Sequence, residues 1–278
     1  MGTWLDNGLK EISSIEEEHS SSLYALLKTT LDKPQSWILA HPEYLLDPKE
    51  EASLNSFLSR LLSAEPLAYI IGKQSFYGLE FLVCPDVLIP RPETELLVEE
   101  AIKKAHSLHD HILIADVGTG SGCIATSLAR ALPKSVVIAT DASYETLQVA
   151  KRNIQNHHVD NRVYLIQTYL LDGIVNNFNL ICANLPYIPS NTLKDPPILK
   201  YEPRLALDGG VDGFTFITHL LKDLKDKIQP DGTVFLEIEH TQKQRTLDLC
   251  RSLFPNATCM ILDDLAGLPR VAIINFME

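Results

Sequence analysis

Apolar residues recur at helical spacing through the first part of the chain, from about residue 5 to residue 62. Leu23, Leu26, Leu27 and Leu31 share one helical face, and Leu54, Phe57, Leu58, Leu61 and Leu62 share another. Prolines at 34, 42, 48 and 66 interrupt the pattern, because proline brings no N–H to a helix interior; the stretch therefore predicts several short helices. Between residues 76 and 92 the texture changes to FYGLEFLVCPDVLIPRP, where Gly78 offers a turn between aromatic and β-branched residues, and a short connecting hairpin is expected. Beyond it, β-rich runs at 111–118, 135–141, 162–168, 178–187, 233–239 and 270–276 alternate with helical stretches, including one near 213–228 and one from about 242 to 253. Such alternation predicts an α/β fold, a mostly parallel sheet covered by helices on both faces. The expected organisation is a small N-terminal helical domain over 1–75, a linking β-hairpin over 76–92 and an α/β domain over 93–278.

Composition narrows the function. The 278 residues, 45% of them hydrophobic, suffice for a sizeable core, and the net charge is −12. Twelve acidic and six basic residues lie in the first 80, so half of that charge sits in under a third of the chain. Such a surface disfavours broad binding to polyphosphate, and no direct nucleic-acid partner is expected. Five scattered cysteines, Cys84, Cys123, Cys182, Cys250 and Cys259, argue against a disulfide framework or a structural zinc site. No apolar run approaches the roughly 18 residues of a membrane span, and the acidic opening residues lack the apolar stretch of a signal peptide. A reduced, cytoplasmic protein without a membrane partner is the expectation. No metal is expected either: His106, His109 and His111, and the pair His157 and His158, read as solvated loop histidines.

The first strand of the α/β region runs into Asp116, Val117, Gly118, Thr119, Gly120, Ser121 and Gly122, then directly into the helix CIATSLARAL. Glycines there let the backbone turn sharply and approach a ligand, while the helix start presents unpaired N–H groups. The spacing G-x-G-x-G departs from the dinucleotide fingerprint G-x-G-x-x-G because residue 123 is cysteine; a plain strand-to-helix turn is the alternative. Asp141 ends the second strand on the same sheet edge, where an acid can accept both hydroxyls of a ribose, or can cap the following helix. Loop and acid together indicate a nucleoside ligand without distinguishing NAD from S-adenosylmethionine.

The fourth strand runs out into Asn184, Leu185, Pro186 and Tyr187. The side-chain carbonyl of Asn184 and the backbone carbonyl of Leu185 can both accept from a planar NH2 group, while Pro186 stiffens the turn and Tyr187 offers a ring for stacking. An amide or exocyclic amine is a poor nucleophile because its lone pair is delocalised. Two acceptors can hold it with that pair aimed at an electrophile and favour the positive charge that develops on attack. A methyl carried on a sulfonium is such an electrophile and needs no metal.

With these residues in place, the chain resembles the bacterial protein-(glutamine-N5) methyltransferases of class I peptide-chain release factors, the PrmC or HemK family. The resemblance runs over nearly the whole chain, through residues 65–83, VLIPRPETELLVE (87–99), DVGTGSGCIA (116–125), NLPYIP (184–189), YEPRLALDGGVDGF (201–214) and DLAGLPRVAI (264–273). It implies a Rossmann-like class I methyltransferase with S-adenosyl-L-methionine as cofactor and the glutamine of the release factor's Gly-Gly-Gln tip as substrate. By the same resemblance Gly118, Thr119, Gly120, Ser121 and Gly122 cradle the donor's methionine end, Asp141 holds its ribose, Tyr169 lies beside its adenine, and Asn184, Leu185, Pro186 and Tyr187 clamp the glutamine amide. Thr168 stands where that family carries an acid, and Leu185 where it carries proline. N-L-P-Y also occurs in dimethyladenosine transferases of ribosomal RNA, so N6-adenine methylation of RNA is the alternative, opposed by the charge and by the IPRPETE and YEPRLAL segments. Glu93 and Glu95 can contact the ligand or favour a helix's first turn; Tyr201, Glu202 and Pro203 can shape the pocket mouth or form a turn. Cys123 and Cys182 read as small apolar residues.

Overall fold

The computed structural model describes residues 1–12, 19–108, 111–194 and 200–277. The chain divides into two compact units, Met1–Gly72 and Lys73–Glu278. Among its described residues the first holds five helices, α1 (Gly2–Ile12), α2 (His19–Leu31), α3 (Gln35–Ala40), α4 (Pro48–Leu62) and α5 (Leu67–Ile71). The heptad-like leucines explain their packing: Leu26, Leu27, Leu54 and Ile70 meet in one buried cluster. The start of α4 is fixed locally. Asp47 Oδ1 accepts from the amides of Lys49 and Glu50, the Glu50 carboxylate accepts the Asp47 amide in return, and Pro48 occupies the first helical position. Gly72, at φ 79°, ends α5 in the left-handed conformation that a side chain resists.

The hairpin starts directly after that glycine, with β1 (Lys73–Phe76) and β2 (Leu79–Leu82) joined by Tyr77 and Gly78, both at positive φ. Two left-handed residues match the twist of the flanking strands. The hairpin is thus earlier and shorter than the expected 76–92, and it belongs to the second unit, where Phe76 and Phe81 are buried against Leu97 and Val98.

The remaining order is α6 (Thr94–Ala105), β3 (Leu113–Val117), α7 (Cys123–Ala131), β4 (Val136–Asp141), α8 (Tyr144–Asn156), β5 (Val163–Gln167), β6 (Phe178–Ala183), α9 (Thr215–Asp223), β7 (Ile228–Glu237), α10 (Lys243–Leu253), β8 (Thr258–Asp263) and β9 (Pro269–Asn275). Seven strands form one sheet in the order β5-β4-β3-β6-β7-β9-β8, parallel except that β9 runs antiparallel to both its neighbours. Strand alternation supplies the two covered faces. Ile114 points into a cluster with Leu97, Leu128 and Ile154, while Ala115 and Val117 point into another with Ile217, Leu220 and Leu221. Each fully buried leucine or phenylalanine in these layers contributes about 1.5–3 kcal/mol. β8 is an addition to the sequence reading: its burial alternates between exposed and half-buried, with Met260 half exposed, as befits an edge strand lacking the continuous apolar run of the central ones.

The order reverses between β3 and β6. Chain segments leaving the carboxyl ends of those neighbours diverge, which opens a crevice there.

Candidate active site

The crevice at the reversal is a cleft of about 610 Å3 whose walls include Gly118, Gly120, Asp141, Tyr169, Asn184 and Arg91. The glycine loop enters it from β3. Gly118, Gly120 and Gly122 all take positive φ (73°, 58° and 79°). A Cβ on Gly122 would stand 3.2 Å from that of Ala150, so the loop also needs the missing side chain to pass α8. The Thr119 amide donates to the Thr140 carbonyl at 2.8 Å, fastening the loop to β4.

Asp116, beneath the loop, is fully buried. Its Oδ2 accepts from Thr119 Oγ1 at 2.6 Å and from the Ala125 amide at 3.0 Å, whereas its buried Oδ1 has no protein partner. Burial pushes the carboxyl up to about 7; the two hydrogen bonds oppose that rise and the charge of Asp141 adds to it. A buried carboxylate oxygen without a donor is stabilised by positive charge nearby, although Asp116 itself does not line the cleft.

Asp141 is held from two sides: Oδ2 accepts the Gly120 amide and Oδ1 the Ser143 amide, each at 3.0 Å. It is not the cap of α8. That role falls to Ser143, whose hydroxyl accepts from the Thr146 amide at 3.1 Å. Burial raises the Asp141 pKa, against the pull of its backbone hydrogen bonds.

Tyr169 faces the cleft beside Phe216, ring centroids 5.9 Å apart, and its hydroxyl pairs with His219 Nδ1 at 2.8 Å. Phe216 and His219 both come from α9, and neither figured in the sequence reading. Thr168, in the position of the absent acid, gives its hydroxyl proton to the Asp172 carbonyl at 2.9 Å and is not part of the cleft wall.

The tetrapeptide leaves β6 on the opposite wall. Leu185 is buried and lies against the glycine loop, its Cδ2 3.0 Å from the place of a Cβ on Gly118. Behind the turn, a Cβ on Gly209 would stand 2.7 Å from the Pro186 carbonyl oxygen, and one on Gly213 would overlap that of Tyr187. The Ile188 amide donates to the Leu207 carbonyl and the Gly209 amide to that of Ile188, while Gln242 Nε2 donates to the Gly213 carbonyl at 2.8 Å. The segment around 201–213 is therefore the backing plate of the turn. A second hollow of about 90 Å3, lined by Leu88, Arg91, Asn184, Leu185, Tyr187 and others, adjoins it.

Asn184 Nδ2 donates to Thr94 Oγ1 at 3.0 Å, and Thr94 Oγ1 donates to Glu237 Oε2 at 2.6 Å. Tyr187 points its hydroxyl at Glu237 Oε1, 3.5 Å away. Burial raises the Tyr187 pKa, and the neighbouring Glu237 adds to the rise. Glu237 is itself buried, which pushes it up to about 7.

Other expectations are sorted by the geometry. Glu95 accepts the Tyr77 amide at 2.8 Å and so fixes the hairpin turn; neither it nor Glu93 lines the cleft. Glu202 is buried and accepts the Arg91 guanidinium at 2.5 Å and the Ile89 amide at 3.3 Å, tying one cleft wall to the backing segment, and Pro203 lines the cleft. Cys123 and Cys182 are buried, and burial pushes the Cys123 thiol up to about 12, as for small apolar side chains. His106 caps the end of α6, His157 Nε2 donates to the Glu80 carbonyl at 2.8 Å, and His109 lies outside the described residues.

Comparison with known proteins gives a matching picture. Residues 3–72 match the PrmC N-terminal domain and residues 92–195 the methyltransferase small domain. The release factor glutamine methyltransferase of Geobacter sulfurreducens is 38% identical over 231 residues, 81% of this chain and 78% of that protein. Its counterpart in Coxiella burnetii is 33% identical over 268 residues, 95% and 94% of the two chains. A methyltransferase structure from Pyrococcus furiosus, 20% identical, superposes with a TM-score of 0.51 over 80% of this chain and 98% of that one, a likeness of fold.

Proposed function

Because this chain belongs to the release factor glutamine methyltransferases, we propose that its cleft sets the side-chain amide of a release-factor glutamine against the methyl group of S-adenosyl-L-methionine. When bound, the donor supplies an electrophilic methyl carbon on a positively charged sulfur. The residues present fit it: three glycines at positive φ make room for close backbone approach, Asp116 beneath the loop keeps a buried carboxylate oxygen without a protein partner, and Asp141 sits at the end of β4 where a ribose diol can be accepted. Gly118 to Gly122 hold the methionine end, Asp141 the ribose, and Tyr169 with Phe216 the adenine ring.

The protein's own work is orientation. Asn184 Oδ1 and the Leu185 carbonyl accept the two N–H bonds of the substrate amide, turning its lone pair toward the methyl carbon. As the nitrogen gives up that pair, positive charge develops on it, and the two acceptor oxygens lie where that charge is stabilised. With the donor bound, a new C–N bond would replace the methyl–sulfur bond, whose electrons would stay on sulfur, and the nitrogen would pass one proton to water. Alignment of this kind is worth an effective molarity of about 10⁵–10⁸ M. The adjoining hollow of about 90 Å3, edged by Leu88, Leu185 and Tyr187, takes the aliphatic part of the glutamine side chain.

The observation that carries this reading is the contact of Leu185 with Gly118, which brings clamp and donor loop to one point of the cleft. The substrate residue is the glutamine of the Gly-Gly-Gln tip of class I release factors, and the helical unit Met1–Gly72 docks that protein substrate. A net charge of −12 favours a protein partner over RNA, and release factors place the reaction in the cytoplasm. Incubation with isotopically labelled donor and either release factor or ribosomal RNA, followed by mass spectrometry, tests it. Label on the tip glutamine is expected, absent when that glutamine is replaced; label on adenine would overturn the reading.

A further inference from the structure

We propose that Thr94 and Glu237 are positioning residues that fix which end of the Asn184 amide faces the substrate; the inference rests on the clamp reading and deepens it. Ala183 of β6 pairs with Leu236 of β7, so the next residues, Asn184 and Glu237, leave neighbouring strand ends side by side. Thr94, the first residue of α6, stands between them with Oγ1 2.6 Å from Glu237 Oε2 and 3.0 Å from Asn184 Nδ2.

A hydroxyl carries one proton. An ionised Glu237 has none to give, so Thr94 must donate to it, and the threonine oxygen is left only able to accept. The group that Asn184 can offer it is the NH2. Its Oδ1 is thereby turned the other way, which is the orientation a clamp for an NH2 group needs. Turning the amide over would set Oδ1 against the threonine lone pairs and leave both oxygens without a donor. Thr94 and Glu237 are 2% and 1% exposed, so water does not compete for these bonds. Glu237 also receives the Tyr187 hydroxyl, and so acts on both ends of the tetrapeptide.

The protonation state of Glu237 sets the direction of the relay. Burial, aided by the charge of Glu93, pushes its carboxyl up to about 7, while the Thr94 hydrogen bond, Arg270 and the Tyr187 hydroxyl pull the other way. A protonated Glu237 can donate to Thr94; Thr94 can then donate to Asn184, and the amide turns its NH2 toward the substrate. Turnover with saturating donor should therefore rise with pH through about 7.

The test is steady-state methylation of intact release factor by full-length variants, with donor affinity measured by calorimetry. Thr94→Val removes the hydroxyl at constant shape and should lower kcat roughly 100-fold, the penalty of a misaligned reacting group, with donor affinity within about twofold of the parent protein. Thr94→Ser should restore most of the rate. In an Asn184→Ala background, Thr94→Val should cost nothing further, because a residue acting only through Asn184 has nothing left to orient. If Thr94→Val melts below the assay temperature, Glu237→Met serves instead: it leaves Thr94 free to donate to Asn184 and should show the same loss and the same lack of additivity. A Thr94→Val rate within about threefold of the parent, or full additivity with Asn184→Ala, would overturn the relay. Failure of the clamp itself is a separate outcome, since Asn184→Ala alone would then stay active.

Discussion

Leu185 rests on Gly118: the leucine methyl occupies the space that any side chain at 118 would need, 3.0 Å from the place of a Cβ. The glycine loop and the 184–187 turn, the proposed donor and substrate sites, are thus one packed unit. Gly118→Ala should damage both functions, because φ 73° strains a side chain and the new methyl pushes Leu185 outward. The strain alone costs about 1–3 kcal/mol. Thermal melting and donor titration should both report a loss; a variant with parental stability and affinity would show that the two walls are not mechanically joined.

Asp141 links the loop to the end of β4 through Gly120, so its removal leaves the Gly120 amide without that acceptor as well as the proposed ribose site. Asp141→Ala should weaken donor binding roughly 10- to 100-fold, in line with about 1.5–3 kcal/mol for hydrogen bonds to a charged group. Calorimetry checks this, and unchanged affinity would count against the ribose assignment.

Asn184→Ala should behave in the opposite manner. Removing one preorganised group that stabilises developing charge costs roughly 10²–10³ in kcat. Donor affinity should stay within about twofold, since the proposed donor contacts come from the loop and from Asp141. A fully active variant would exclude Asn184 from the chemistry.

Two buried carboxyls give a pH signature. Asp116 and Glu237 are each raised to about 7, above the ordinary carboxylate range. As pH rises from about 4, the unfolded chain therefore loses these protons before the folded one, and stability falls by up to about 1.4 kcal/mol per pH unit and group until about 7, where the loss ends. Denaturant unfolding of the ligand-free protein at pH 5 and 7.5 should show lower stability at the higher pH, and Asp116→Asn should reduce the difference. Donor affinity should rise over the same window, because a cation near Oδ1 favours the ionised Asp116; a flat profile would remove Asp116 from donor binding.

For the helical unit, removal of residues 1–72 cuts the chain where Gly72 ends α5. Methylation of intact release factor should then fall much further than methylation of a short peptide bearing the same tip. Equal losses on both substrates would refute a docking role.

The parts of the site that were legible in the sequence are those whose signal is local. Gly118 to Gly122, Asp141 and Asn184 to Tyr187 each follow a β-rich run directly, so the strand pattern alone carries them to one sheet edge. Residues joined across the fold left no such mark. Asn184 and Thr94 are 90 positions apart and Thr94 and Glu237 are 143 apart, and their pairing depends on a strand order that periodicity does not reveal. Phe216 and His219 were equally silent, because on α9 they read as ordinary helix residues. Glu95 and Glu202 carried an ambiguous charge signal that only burial and partners resolved: one secures a turn, the other an ion pair with Arg91. The edge strand β8 escaped notice because a strand covered by one neighbour needs no continuous apolar run.

The glycines behind the clamp have a bearing on how this enzyme can vary. With main chain alone at 209 and 213, the carbonyls of Pro186 and Tyr187 are cast against a wall that has no side chain to swing aside. The turn proposed to hold the amide is rigid by omission. Nearby Val211, 86% exposed, is free to drift, whereas one extra methyl at 209 or 213 would push the turn that carries the proposed acceptors, Asn184 and Leu185.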